Sequence, residues 1–257
     1  MEQIYHLIKQ YRGVEEACFY YGTIPYTENY QYEGYAPHSD STHLVNCYIR
    51  YVNPTYFKVF RLQPLAGTFD AAHWNKGEYP MPVVMSVTLS DSLFSGRSGV
   101  GETCFNPYFL NSKQPETNYK VMTVLPAHKT DDYERYEPFI YLPSPPVTHW
   151  HHIAVRVSPD AAPGFTERFT REMQGKLAIG PYFLYDISSY ADMKEAFDIE
   201  QGTVNYLNTT YAIIIFFIFN VFLGMLGTFW FRTRKRRSEI ALRMALGCSR
   251  ADIFSYY

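Results

Sequence analysis

The chain has 257 residues, a formal net charge of −2 and 18% aromatic residues. Its mean hydropathy of −0.24 excludes a protein made mostly of membrane spans. Residues 232–257 carry seven Lys and Arg against two Asp and Glu, so the remainder carries 23 − 7 = 16 basic and 25 − 2 = 23 acidic residues. A larger part with balance −7 does not suit nucleic acid, which rewards clustered positive charge.

The predicted elements begin with an amphipathic helix, MEQIYHLIKQYR, with Ile4, Leu7, Ile8 and Tyr11 on one stripe and Gly13 as its stop. Val14–Ile24 reads as a strand, Glu28–Asp40 as a Tyr-rich loop and Leu44–Val52 as a second strand. Asn53 is placed as the N-cap of a short helix with Pro54 in its first turn. Gln63–Trp74 reads as loop and Pro82–Val87 as a short buried strand. Thr88-Leu-Ser-Asp91 reads as a capping box for a helix ending near Phe94. Tyr119–Leu125, Phe139–Leu142, His152–Ser158 and Tyr182–Ile187 read as strands. Pro163–Gln174 is a helix, and Ser189-Tyr-Ala-Asp192 caps another. Strands and helices mix without a βαβ repeat, so the fold class is α+β.

Thr209–Phe231 is a stretch of 23 residues without charge. At about 1.5 Å per helical residue it matches the roughly 30 Å hydrocarbon core of a bilayer. The cluster Arg232, Arg234, Lys235, Arg236 and Arg237 follows at once. Basic residues beside a span stay in the cytoplasm, so residues 1–205 are expected outside, 206–231 across the membrane, and 232–257 inside. Asn220 and the Gly224/Gly227 pair suit a span packed on partner helices. The N-terminus lacks the pattern of an export signal. A piece of a longer protein is therefore expected, with a preceding span and further spans beyond Tyr257.

Candidate chemistry is sparse. Gly96–Thr103 imitates a phosphate-binding loop, but Glu102 stands where the phosphate-reaching lysine belongs, so a Gly-rich turn is the better reading. His149, His151 and His152 form a loose cluster with no acidic or Cys partner, and Asp131, Asp132 and Glu134 read as a solvated loop. Cys18, Cys47 and Cys104 fall outside and Cys248 inside, without metal-ligand spacing; they are expected to be unpaired packing residues. No nucleophile elbow is present. The chain is expected to be no enzyme and to need no cofactor or metal.

The run Arg236-Arg237-Ser238-Glu239-Ile240-Ala241-Leu242-Arg243-Met244-Ala245-Leu246-Gly247-Cys248-Ser249-Arg250-Ala251-Asp252-Ile253 resembles the FtsX-like permease pattern R-x-x-E-I-x-x-R-x-A-L-G-A-x-x-x-x-I, with Cys248 where Ala is usual. Upstream, Val52–Phe57, Pro64–Phe69, Pro82–Phe94, Gly99–Gly101, Tyr119–Leu125 and Tyr141–Pro143 resemble, in order and spacing, the periplasmic core domain of MacB-type ABC transporters. The resemblance implies a permease subunit of the mechanotransmission kind in the bacterial inner membrane, relaying ATP-driven motion from a cytoplasmic ABC ATPase to a periplasmic domain. It implies a two-lobed periplasmic domain, with an inserted lobe at roughly 80–148, and a short cytoplasmic coupling helix. Its partners would be the ATPase, a second permease subunit (a homodimer or a paired subunit) and a periplasmic adaptor.

Ser238 is expected to N-cap that coupling helix, Gly247 to stop it, and Ser249–Asp252 to cap the next. Glu239, Ile240, Ala241, Arg243, Met244, Leu246 and Gly247 are the expected ATPase-coupling residues. Glu239 and Arg243, four apart, form a favourable pair. The rival expectation is a bitopic sensor whose outer α+β domain binds a ligand.

Overall fold

The computed structural model describes residues 2–74, 79–108, 118–144 and 152–247. His149, His151, Cys248, the Ser249–Asp252 cap and Ile253 lie outside the described residues. The chain divides into two units, Met1–Phe197 and Asp198–Tyr257.

The first unit is α+β, as expected. Its elements in order are α1 (Glu2–Lys9), β1 (Val14–Gly22), β2 (Tyr32–Pro37), β3 (Val45–Val52), α2 (Tyr56–Val59), β4 (Ala66–Gly67), α3 (Ala71–Trp74), β5 (Met81–Ser86), α4 (Val87–Phe94), β6 (Thr103–Phe105), β7 (Asn118–Leu125), β8 (Phe139–Pro143), β9 (His152–Val157) and α5 (Phe165–Met173). The helix α6 (Tyr190–Glu200) follows, and α7 (Thr203–Ala245) belongs to the second unit.

All nine described strands join one sheet, in the order β2-β6-β7-β5-β8-β3-β1-β9, with β4 beside β7. The first half of β2 also pairs with β3, so pairings run in a closed circuit β3–β2–β6–β7–β5–β8–β3. The central ladders β3–β8 and β5–β7 are parallel. Parallel strands are covered on both faces, which is why β5 and β8 read as unbroken apolar runs.

Side chains alternate across a strand, so each strand feeds two cores. Cys47 and Ile49 of β3, Val83 and Met85 of β5, and Ile140 and Leu142 of β8 enter the first core, which α4 joins through Leu89, Leu93 and Phe94. Val52, Val84, Phe139 and Tyr141 face the second core, with Tyr56, Phe57 and Trp74. A third cluster joins Ile4 and Ile8 of α1 to Phe165, Phe169 and Met173 of α5. Burying each of these side chains contributes about 1.5–3 kcal/mol.

Several expectations change. Within residues 80–148, β5, β6, β7 and β8 join the sheet that also holds β1 and β3. Residues 26–40 are not all loop: β2 forms despite Glu33 and Gly34, because its partners are distant in sequence. At Gly34 a Cβ would lie 2.8 Å from Leu44 Cδ1 and 2.9 Å from Asn46 Oδ1, so those two side-chain tips would have to move aside for any other residue. Tyr182–Ile187 is no strand. Tyr182, Leu184 and Ile187 pack on the third cluster while Phe183 and Tyr185 are exposed, so the alternation records one-sided packing. Asn53 does not cap α2: Thr55 holds the N-cap position, and Asn53 Oδ1 accepts from Phe19 N and the Thr55 hydroxyl. The cap of α4 is Ser86, whose Oγ accepts from Leu89 N and Phe139 N.

The Ser189–Asp192 box is reciprocal, as expected. Ser189 Oγ accepts from Asp192 N, and Asp192 Oδ2 accepts from Ser189 N. Cys18, Cys47 and Cys104 are free and fully buried. Burial pushes the Cys18 and Cys104 thiols up to about 12, so they are packing residues rather than nucleophiles.

Candidate functional site

The second unit carries the segment that the sequence marks for function. One uninterrupted α-helix runs from Thr203 to Ala245, 43 residues or about 65 Å. Among the described residues it is the one helix long and apolar enough to cross a membrane, with a mean hydropathy of 2.4 over its most apolar window. No residue of that window is buried. Ile213–Phe219 and Phe229–Phe231 expose their side chains all around the helix. A helix apolar on every face needs lipid or other helices around it. Its polar groups are satisfied locally, as a span in hydrocarbon requires. Asn220 Nδ2 donates to Phe216 O at 2.8 Å, and Thr228 Oγ1 donates to Met225 O at 2.8 Å. The asparagine amide thus bonds back to its own helix through one of its N–H groups.

The basic cluster Arg232, Arg234, Lys235, Arg236 and Arg237 lies on the same helix, immediately after the apolar stretch. Here a second expectation changes. No break separates the span from a short coupling helix. Ser238 is interior, its hydroxyl donating to Lys235 O at 2.7 Å instead of capping. Arg, Lys, Glu, Ala, Leu and Met are all strong helix formers, and no Gly or Pro interrupts them before Gly247. Glu239, Ile240, Ala241, Arg243 and Met244 therefore continue the helix, and Leu246 is its C-cap. Gly247 has φ +94°, the left-handed stop that the sequence marks. From Arg232 to Ala245 the helix extends about 20 Å past the uncharged stretch.

The rejected chemistry has a structural reason at each place. In the Gly96–Thr103 loop the amides of Gly96, Gly99, Gly101 and Glu102 donate to Asp91 O, Ser90 Oγ, Val121 O and Gly99 O. They are not free to cradle phosphate. Asp131 Oδ1 accepts from the amides of Tyr133 and Glu134, Glu134 accepts from the Thr130 hydroxyl, and Asp132 pairs with Lys194. The His152 ring lies 5.6 Å from the Tyr20 ring, tilted by 41°. Among the described residues no group of three His, Cys, Asp or Glu could hold a metal.

Sequence reasoning missed Arg50. It is 4% exposed, and its Nε donates to Thr23 O at 2.7 Å while Nη1 donates to the Tyr56 hydroxyl at 2.6 Å. Its guanidinium lies over the rings of Tyr56, Phe139 and Tyr141. It sits on β3 between apolar neighbours, and only the alternation of that strand, with 48, 50 and 52 on one face, marks it as inward.

No protein-family profile matches the chain, and no curated protein matches it. Solved structures do. The extracellular domain of the noncanonic ABC-type transporter YknZ from Gram-positive bacteria is 15% identical, with a TM-score of 0.48 over 68% of this chain and 82% of that one. The periplasmic region of MacB from Actinobacillus actinomycetemcomitans is 11% identical, with a TM-score of 0.46 over 66% of this chain and 73% of that one. A domain of a putative permease protein from Porphyromonas gingivalis is 14% identical, with a TM-score of 0.48 over 66% and 74%. At these identities the likeness is one of fold and carries no activity with it.

Proposed function

We propose that this chain is a permease subunit of an ABC-type transporter of the mechanotransmission kind. Residues 1–205 lie outside the cytoplasmic membrane, and Arg232 onward lies within the cytoplasm. The observation that carries the reading is one continuous helix bearing, in order, a span, a cationic cluster and the stretch Arg236–Gly247 that resembles the FtsX-like pattern. A single helix of this length acts as a rod. A cytoplasmic ABC ATPase that moves Glu239–Leu246 would move the span with it, with no hinge to absorb the motion. Ile240, Ala241, Met244 and Leu246 would pack on the ATPase and neighbouring spans, and Glu239 and Arg243 would set the register. A second permease subunit and a periplasmic adaptor complete the proposed assembly.

The test is made in membranes carrying this subunit with its ATPase. Glu239→Lys places like charges four residues apart and reverses a contact. Gly247→Val forces a β-branched residue into the left-handed region at about 1–2 kcal/mol. Within the described residues a Cβ at Gly247 would meet nothing within 4 Å, so inside this chain the change acts on the backbone. Both variants should insert normally and leave ATP hydrolysis intact, yet fail to complement a strain lacking the subunit. Full complementation by both would remove the coupling role.

A further inference from the structure

The most strongly charged patch of the chain lies on α7 just past its apolar stretch. Arg232, Arg234, Lys235, Arg236 and Arg237 are all exposed, and only Thr233 interrupts them. Glu239 is the one acidic residue of the helix, so at least four of these cations stay uncompensated within α7.

Two geometric facts bear on what surrounds the cluster. The first is depth. Tyr211 and Trp230 are 60% and 70% exposed. They stand about 29 Å apart along the helix at 1.5 Å per residue. Amphipathic rings collect at the two faces of a bilayer core, which is roughly 30 Å thick. With Trp230 at one face, the cluster runs from about 3 Å to about 11 Å beyond it. The polar layer there is roughly 5–8 Å deep, and long Arg and Lys side chains bend several ångströms to stay in it.

The second fact is azimuth. Successive helical residues turn by about 100°. Arg232, Lys235 and Arg236 therefore share one stripe, and Arg234 and Arg237 lie on the opposite side. No gap between neighbouring cations around the helix exceeds about 100°. A docking face for a protein concentrates its charges on one side. A collar around the whole circumference matches surroundings that are themselves continuous, as a headgroup layer is.

We propose that this collar binds anionic phospholipids, whose headgroups carry a phosphate diester without a compensating amine. A zwitterionic headgroup brings its own cation and loses most of the attraction. The inference rests on α7 crossing a bilayer and not on the transport reading. Lipid held at 232–237 fixes the depth of the rod, and Glu239–Leu246 project beyond the headgroups.

The experiment uses the full chain in phosphatidylcholine vesicles that contain a minority of phospholipid brominated on its acyl chains, either phosphatidylglycerol or phosphatidylcholine. Bromine quenches Trp230, two residues before the collar. The quenching lost in Trp230→Phe isolates that signal. Phosphatidylglycerol should quench as though enriched about fivefold around the helix, the size of one cation's attraction to an anionic surface. In 1 M salt, where the screening length is about 3 Å, the two lipids should quench alike. Arg232→Gln, Lys235→Gln and Arg236→Gln together should remove part of the enrichment, and Arg234→Gln with Arg237→Gln another part. All five changes together should remove it. Glutamine is itself a strong helix former, so the helix persists. Changing the four arginines to lysine keeps the charge and should keep most of the enrichment. Equal quenching by the two lipids in the parent protein would overturn the proposal and leave the span intact. No quenching of Trp230 by either lipid would overturn the span as well. Complete loss from one stripe's variant alone would overturn the collar in favour of a one-sided site. Loss on adding the cytoplasmic ATPase would overturn it in favour of a protein contact.

Discussion

Arg50 and His128 form a polar knot inside an aromatic core. His128 Nε2 lies 2.7 Å from the Tyr141 hydroxyl, and its Nδ1 lies 3.2 Å from Pro126 O. The arrangement suits a neutral ring, with Nδ1–H donating to the carbonyl and Nε2 accepting from the tyrosine. Burial, and then the charge of Arg50, push the His128 pKa down to about 4. The sign follows from proton binding. Between pH 4 and the ordinary value of about 6.5, the unfolded chain binds the proton and the folded chain does not. Stability is therefore full above pH 6.5 and falls as the pH drops toward 4, on the order of 2 kcal/mol from this group. His128→Gln should be less stable than the parent at pH 7, where it loses the Tyr141 bond. The gap should narrow at pH 4.5. Denaturant midpoints of both proteins at the two pH values check this, and a gap independent of pH would refute it.

At the scale of elements, the continuity of α7 is the feature that matters. Propensity explains it: thirteen residues from Arg232 to Met244 contain no Gly or Pro, and only Thr233, Ser238 and Ile240 fall below the strong helix formers. A proline at Thr233 would remove a backbone hydrogen bond and kink the helix between span and coupling stretch, at about 3 kcal/mol. Thr233→Pro should leave insertion intact and abolish complementation, whereas Thr233→Ala should do neither. Complementation by Thr233→Pro would mean that a rigid connection is unnecessary. In the first unit, α6 is tied down by the Tyr190 hydroxyl, 3.0 Å from that of Tyr20 on β1, and by Lys194 with Asp132. The first contact joins an element late in the sequence to the earliest strand, and the second joins it to the loop between β7 and β8.

For the whole molecule the decisive question is which side of the membrane each unit occupies. The three buried cysteines of the first unit react poorly with an impermeant maleimide, since burial raises their thiol pKa values. A Cys248→Ala background therefore suffices for accessibility mapping. Lys176→Cys, at an exposed position after α5, should be labelled in intact spheroplasts. Ser238→Cys should be labelled only after lysis. The opposite pattern would invert the topology and remove the proposed function with it.

Features that depend on local chemistry are legible before the chain is folded. Charge-free length marks the span, a lysine–arginine cluster marks its end, and Gly247 marks the helix stop. The Ser189–Asp192 cap and most strands of the α+β unit are legible from spacing, because caps and two-residue alternation act between near neighbours. Tertiary structure decided what depends on distant partners. It made β2 a strand by pairing it with β3 and β6, and gave Tyr182–Ile187 only the single bridge of Tyr182 to Ile179, although its alternation is as clear. It placed the segment 80–148 in the common sheet, since β5 and β8 find their partners on both sides of it. It also buried Arg50 under the rings of Tyr56, Phe139 and Tyr141. Strand pairing and enclosure are set by which surfaces remain to be covered once the chain collapses, and no local pattern encodes that.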